Sequence, residues 1–80
     1  MIKAVIIDDE RHSVETLGFK IDRYCPDVEV AERFTDPQTG LEFLRHHTID
    51  LLFLDIEMPR MDGFELLEQL GEVPFDVIFT

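Results

Sequence analysis

Two runs of residues constrain this chain more than any others: Ile2-Lys-Ala-Val-Ile-Ile7 and Leu51-Leu-Phe-Leu54. A half-exposed strand alternates apolar and polar residues, whereas a nearly continuous apolar run implies a strand covered on both faces. Such strands belong to parallel sheets, in which helical crossovers join neighbouring strands. The intervening segments fit that scheme. Val14, Leu17, Ile21 and Tyr24 recur at helical spacing, which predicts an amphipathic helix over residues 13–24 that ends near Pro26. Gly18 inside it costs roughly 1 kcal/mol relative to alanine. Val28 to Phe34 alternates and reads as a half-exposed edge strand. Asp36-Pro37 supplies an N-cap and a proline at the first helical position. The helix it opens carries Leu41, Phe43 and Leu44 and ends around His46-His47.

Ile49 to Leu54 is expected to be a second fully buried strand. A third helix is expected over residues 61–70, with Phe64, Leu67 and Leu70 on one face and Gly71 just past its end. Residues 75–79 begin a fourth strand. The order is strand-helix three times, then a strand, with right-handed crossovers.

Eighty residues bound the chain to one small domain. The net charge of −11 disfavours contact with nucleic acid, whose phosphates repel it, and suits a divalent cation or a basic partner. Solubility accounts for most of that charge. One cysteine, Cys25, excludes an internal disulfide and a cysteine-based metal site, and fits a reducing compartment. No secretory leader pattern is present, and no apolar run approaches the ~20 residues that span a bilayer. A cytoplasmic domain is the expectation. Three helices leave one face of the sheet thinly covered, and Phe75-Asp-Val-Ile-Phe79 is an apolar edge. The domain is therefore expected to continue past Thr80, and the 80-residue chain alone to self-associate or swap elements.

The apolar strands end on acids. Asp8-Asp9-Glu10 closes the first and Asp55 closes the third. Open α/β sheets bind ligands beyond the carboxyl ends of their strands, where the strand order reverses. If the order is 2-1-3-4, strands one and three are neighbours and their acids share one crevice. Close carboxylates repel, which raises their pKa values or draws in a cation. Oxygen ligands suit a hard cation, and Mg2+ needs only a few from the protein. The carbonyl of Glu57 is placed to add one as the chain turns into Met58-Pro59. A carboxylate is also a nucleophile towards phosphoryl groups. Asp55 stands alone on its strand and is the better candidate, with Asp8 and Asp9 as the metal pair. Each acid has a plainer reading. A lone strand-end aspartate is usually a cap or turn residue, and Glu10 an exposed acid at the start of a helix. Met58, Met61 and Phe64 read as packing residues. His12, His46 and His47 read as solvated helix-end residues, and Cys25 as a half-buried filler.

The strand ending in Asp8-Asp9-Glu10, the spacing to "FLDIEMPRMDG" and the strand-helix order resemble the response-regulator receiver domain of two-component signalling. The resemblance implies a flavodoxin-like open parallel sheet of order 2-1-3-4, with the fifth strand and last two helices missing, so that residues 1–80 are the N-terminal portion of a receiver domain. It implies that Asp55 accepts a phosphoryl group from a phosphohistidine on a sensor histidine kinase. Mg2+ would be held by Asp8, Asp9, the Asp55 carboxylate and the Glu57 carbonyl. The intact domain would catalyse its own phosphorylation and dephosphorylation. Pro59 and Gly63 fit the family's loop after the phosphorylated strand, and Thr80 lies at or next to its switch hydroxyl. The family's lysine after the fifth strand is absent. "FLDIEMPRMDGFELL" is similar in style to receivers attached to LytTR-type DNA-binding domains, which implies transcription regulation through another domain. Two other readings stand beside this one: a Mg2+-dependent phosphohydrolase with an aspartyl nucleophile, and a truncated or pseudo-receiver interaction fragment without phosphoryl transfer. The first lacks an Asp-x-Asp-x-Thr run and the length for cap elements.

Overall fold

The computed structural model describes residues 1–80. The elements alternate as the apolar pattern requires. They are β1 (Ile2–Ile7), α1 (Arg11–Tyr24), β2 (Val28–Phe34), α2 (Pro37–His46), β3 (Leu51–Leu54), α3 (Gly63–Leu70) and β4 (Asp76–Phe79). The four strands form one sheet in the order β2-β1-β3-β4. All three pairings are parallel. Strands one and three are therefore neighbours, and the order reverses between them.

The sheet separates two layers. Val5, Ile7, Leu52 and Leu54 face Leu41 and Leu44 of α2 and Leu66 of α3, with Met58 and Met61 closing the cluster. Ile6 faces Val14 and Ile21 of α1, with Phe53 packed at the margin. Burying each such aliphatic side chain contributes about 1.5–3 kcal/mol, so the larger cluster carries most of the stability. Only α1 covers the second face. Phe53 is half-buried there, and Ile78, its register partner on β4, is 47% exposed. One face is thinly covered, as expected, and β3 is not buried on both sides along its length.

Local chemistry sets the helix ends. The Asp36 carboxylate accepts from the Thr39 N–H at 3.2 Å and its hydroxyl at 2.7 Å, with Pro37 in the first turn. Asp62 accepts from the Glu65 N–H at 2.8 Å while the Glu65 carboxylate accepts from the Asp62 N–H at 3.1 Å. That reciprocal pair starts α3 at Gly63, two residues later than expected. Gly71, at φ +85°, ends it. Because α3 starts there, Leu66 is the fully buried residue of its inner face, while Phe64 is 58% exposed and packs beside Phe79, its ring centroid 5.1 Å away. Phe64, expected on the inner face, thus lies largely exposed and packs on Phe79, whereas Met58 and Met61 are buried as expected.

Two further boundaries differ. Helix α1 begins at Arg11 rather than Ser13, with Glu10 at the cap position. Strand β3 begins at Leu51; just before it the Asp50 N–H donates to the Lys3 carbonyl at 2.8 Å while the Asp50 carboxylate accepts the Lys3 N–H at 2.8 Å. Tyr24 lies 70% exposed beside the Arg23 guanidinium, and Cys25 is exposed rather than half-buried. At Gly18 an added Cβ would meet Arg33 Nε at 2.8 Å, the far end of a flexible, partly exposed side chain that can move aside.

Candidate metal and phosphoacceptor site

The ladder delivers three residues to one edge. The Asp8 N–H donates to the Phe34 carbonyl at 3.1 Å, the Asp55 N–H to Ile7 at 2.9 Å, and the Thr80 N–H to Leu54 at 3.0 Å. Each bond extends a strand pairing by one residue, so residues 8, 55 and 80 stand side by side where the strands end. The side chains of Asp8, Asp9 and Asp55 converge there, with one carboxylate oxygen from each within 4.8 Å of the others. Asp8 and Asp55 are half-buried and Asp9 is exposed.

Two of these carboxylates are held by the turns that follow them. Asp8 Oδ1 accepts the Glu10 N–H at 3.0 Å, and Asp55 Oδ1 accepts the Glu57 N–H at 3.1 Å. In each, Oδ1 is engaged by the backbone and Oδ2 is left for another partner. The cleft around them is lined further by Glu10, Ser13, Glu57 and Thr80, and includes no lysine or arginine. Burial, then the Asp8 charge, pushes the Asp55 carboxyl up from 3.8 to about 6. The Glu57 N–H opposes that rise, while the neighbouring Asp8 and Asp9 carboxylates, which can share a proton with Asp55, add to it. This negative charge has no cationic side chain in the cleft to balance it. An all-oxygen donor set of this kind suits a hard divalent cation that keeps part of its water.

The three aspartates singled out in the sequence are thus brought together. Glu57 lines the same cleft. Glu10, read as a plain helix-start acid, also lines it and accepts the Ser13 hydroxyl at 3.2 Å. Its adjacency to Asp9 was the available signal. Ser13 carried none, because one serine at a helix start has many uses. The histidines lie elsewhere. His46 Nε2 is 3.2 Å from Glu42, and His47 stacks on Phe43 with its Nδ1 2.9 Å from the Phe43 carbonyl.

Comparison with known proteins agrees with this fold. Residues 4–80 match the response regulator receiver domain family. The chain is 41% identical over 80 residues to protein-glutamate methylesterase/protein-glutamine glutaminase 1 of Burkholderia pseudomallei (strain 1710b), covering 99% of this chain and 22% of that protein. It is 42% identical to the corresponding protein of Bordetella pertussis, again over 99% of this chain and 23% of the relative. The chain therefore spans about a fifth of the length of these curated relatives. Among solved structures, it superposes on the response regulatory domain of mrkE from Klebsiella pneumoniae with a TM-score of 0.84 at 29% identity, covering 98% of this chain and 65% of that one. The response regulator domain of Thermotoga maritima CheB gives a TM-score of 0.81 at 28% identity, over 99% of this chain and 59% of the other. With four parallel strands in the order β2-β1-β3-β4 and the family match running from residue 4 to residue 80, the chain belongs to the response regulator receiver domain family.

Proposed function

We propose that this chain is the phosphoacceptor part of a two-component response regulator, with Asp55 as the residue that takes the phosphoryl group. The observation that carries this reading is the convergence of Asp8, Asp9 and Asp55 within 4.8 Å in a cleft whose lining includes no basic side chain. Asp55 Oδ2 attacks phosphorus, and an acyl phosphate P–O bond forms as the bond to the donor breaks. With a sensor histidine kinase as donor, that bond is P–N, and its electron pair returns to the imidazole nitrogen, which takes up a proton. The Glu57 N–H bond to Asp55 Oδ1 orients the carboxylate for that attack.

The donor set fits Mg2+, with Asp8, Asp9, Asp55 and the Glu57 carbonyl as the residues that would hold it. When bound, Mg2+ supplies neutralisation of the phosphoryl oxygens and their alignment. Thr80 lines the cleft, and its hydroxyl is the group that would donate to a phosphoryl oxygen on Asp55.

Residues 1–80 serve as the N-terminal portion of a receiver domain, in keeping with the 65% and 59% coverage of the solved relatives. The kinase is the partner, the location is cytoplasmic, and the net charge of −11 keeps this segment off nucleic acid. No helix is long and apolar enough to cross a membrane. The phosphorylated state controls an output domain, with transcription regulation as the form the loop sequence favours. The identity of 41–42% to portions of methylesterases favours a second reading, an enzymatic output.

The test is incubation with Mg2+ and acetyl phosphate followed by intact mass. A gain of one phosphoryl group, stable in acid and released by hydroxylamine, is expected, and Asp55→Asn abolishes it. A gain that survives Asp55→Asn refutes the assignment. No gain in the unaltered chain leaves the interaction-fragment reading in its place.

A further inference from the structure

Residues 55–62 join β3 to α3, and this junction has two unusual positions. Arg60 has φ +71°, the only non-glycine residue in the left-handed region. Gly63, the first residue of α3, sits against the strand end: its N–H donates to the Ile56 carbonyl at 2.9 Å, and an added Cβ would lie 2.8 Å from the Asp55 carbonyl oxygen and 3.2 Å from Ile56 Cα. These are backbone atoms, so no side-chain rotation relieves the contact. The Asp62–Glu65 capping pair fixes the first turn of α3 at that spot, and buried Met58 and Met61 hold the loop against the core. Strained backbone of this kind persists only where the surroundings over-determine it.

We propose that Gly63 and the left-handed turn at Arg60 are positioning elements for the carboxylate site. Missing a side chain at 63, α3 abuts the Asp55 backbone and fixes the direction in which its carboxylate leaves the strand. The turn at 60 sets the path that brings the Glu57 N–H onto Asp55 Oδ1. This inference rests on the cation-binding reading of the site and concerns what holds the site in shape. Neither residue lines the cleft, so both act through Asp55 and Glu57.

The experiment is Mg2+ titration of the full chain, read by amide chemical shifts, in parallel with thermal melts. Gly63→Ala is expected to weaken Mg2+ binding about tenfold or more, the scale seen when supporting groups around metal ligands are lost. Leu70→Ala, at the far end of α3, serves as the control: it lowers Tm and leaves Mg2+ affinity within about twofold. Arg60→Gly keeps the turn and keeps the affinity, whereas Arg60→Val opposes the turn and weakens binding. The Arg60 pair decides the matter if Gly63→Ala does not fold. Unchanged affinity in both Gly63→Ala and Arg60→Val overturns the inference, as does an equal loss in Leu70→Ala, which would make the site a mere reporter of stability. If the unaltered chain binds no Mg2+, the cation reading itself fails and takes this inference with it.

Discussion

Replacing Asp55 by asparagine should stabilise the fold at neutral and alkaline pH. Asparagine keeps the oxygen that accepts the Glu57 N–H and removes the charge that Asp8 repels. In the folded chain the Asp55 carboxyl titrates at about 6, against 3.8 in the ordinary state. The folded state thus holds the proton more tightly than the unfolded one. Stability conferred by the protonated carboxyl is present in full below about pH 3.8 and is lost as pH rises through about 6. At about 1.4 kcal/mol per pH unit, the shift bounds the effect near 3 kcal/mol. Asp55 is only half-buried, and solvent screening reduces the expected effect to about 1–2 kcal/mol. Urea denaturation without divalent cations, from about pH 4 to pH 8, measures it as the difference between the two proteins. That difference cancels the general repulsion of an acidic chain. Asp55→Asn should gain its advantage between about pH 4 and 6 and hold it to about pH 8. Added Mg2+ should then stabilise the unaltered chain and leave the variant nearly unmoved, by mass action on the folded state. A variant no more stable at about pH 8, or a difference flat across the whole range, would refute the reasoning.

Three other outcomes follow from packing and edges. Leu66→Ala should cost about 2–5 kcal/mol in urea denaturation, and Phe64→Ala under about 1 kcal/mol, since only Leu66 is fully buried. Asp62→Ala should cost about 1 kcal/mol in the same assay by removing the capping pair. The β4 edge, with Ile78 47% and Phe79 39% exposed, should drive self-association or element swapping at micromolar concentration in sedimentation, and Ile78→Lys should shift the chain to monomer. A monomeric unaltered chain would count against that edge as an association surface.

The strand-helix order was legible because apolar runs and helical spacing are signals along one dimension. Asp8, Asp9 and Asp55 were legible for the same reason: each marks where such a run stops. The cap at Asp36-Pro37 is a local event and could be read locally. The sequence pattern sets Phe64 on the inner face in place of Leu66, because "FELL" offers two apolar stripes to one short helix. The choice is made by the Asp62–Glu65 cap and by Gly63 seated against the Asp55 carbonyl, which is a tertiary contact. Leu51 and Phe53 read as fully buried but are only half-covered, because α1 does not extend over β3 and β4. Glu10 and Ser13 reached the cleft through the placement of the first turn of α1, which the sequence pattern put two residues too late.

A structure of the chain crystallised with Mg2+ and beryllium fluoride would show whether residues 8, 9 and 55 act as one site. The fluoride complex is expected on Asp55 Oδ2, beside an ion touching Asp8, Asp9, Asp55 and the Glu57 carbonyl. An ion bound away from residues 8 and 9, or a fluoride complex on any side chain other than Asp55, would contradict it.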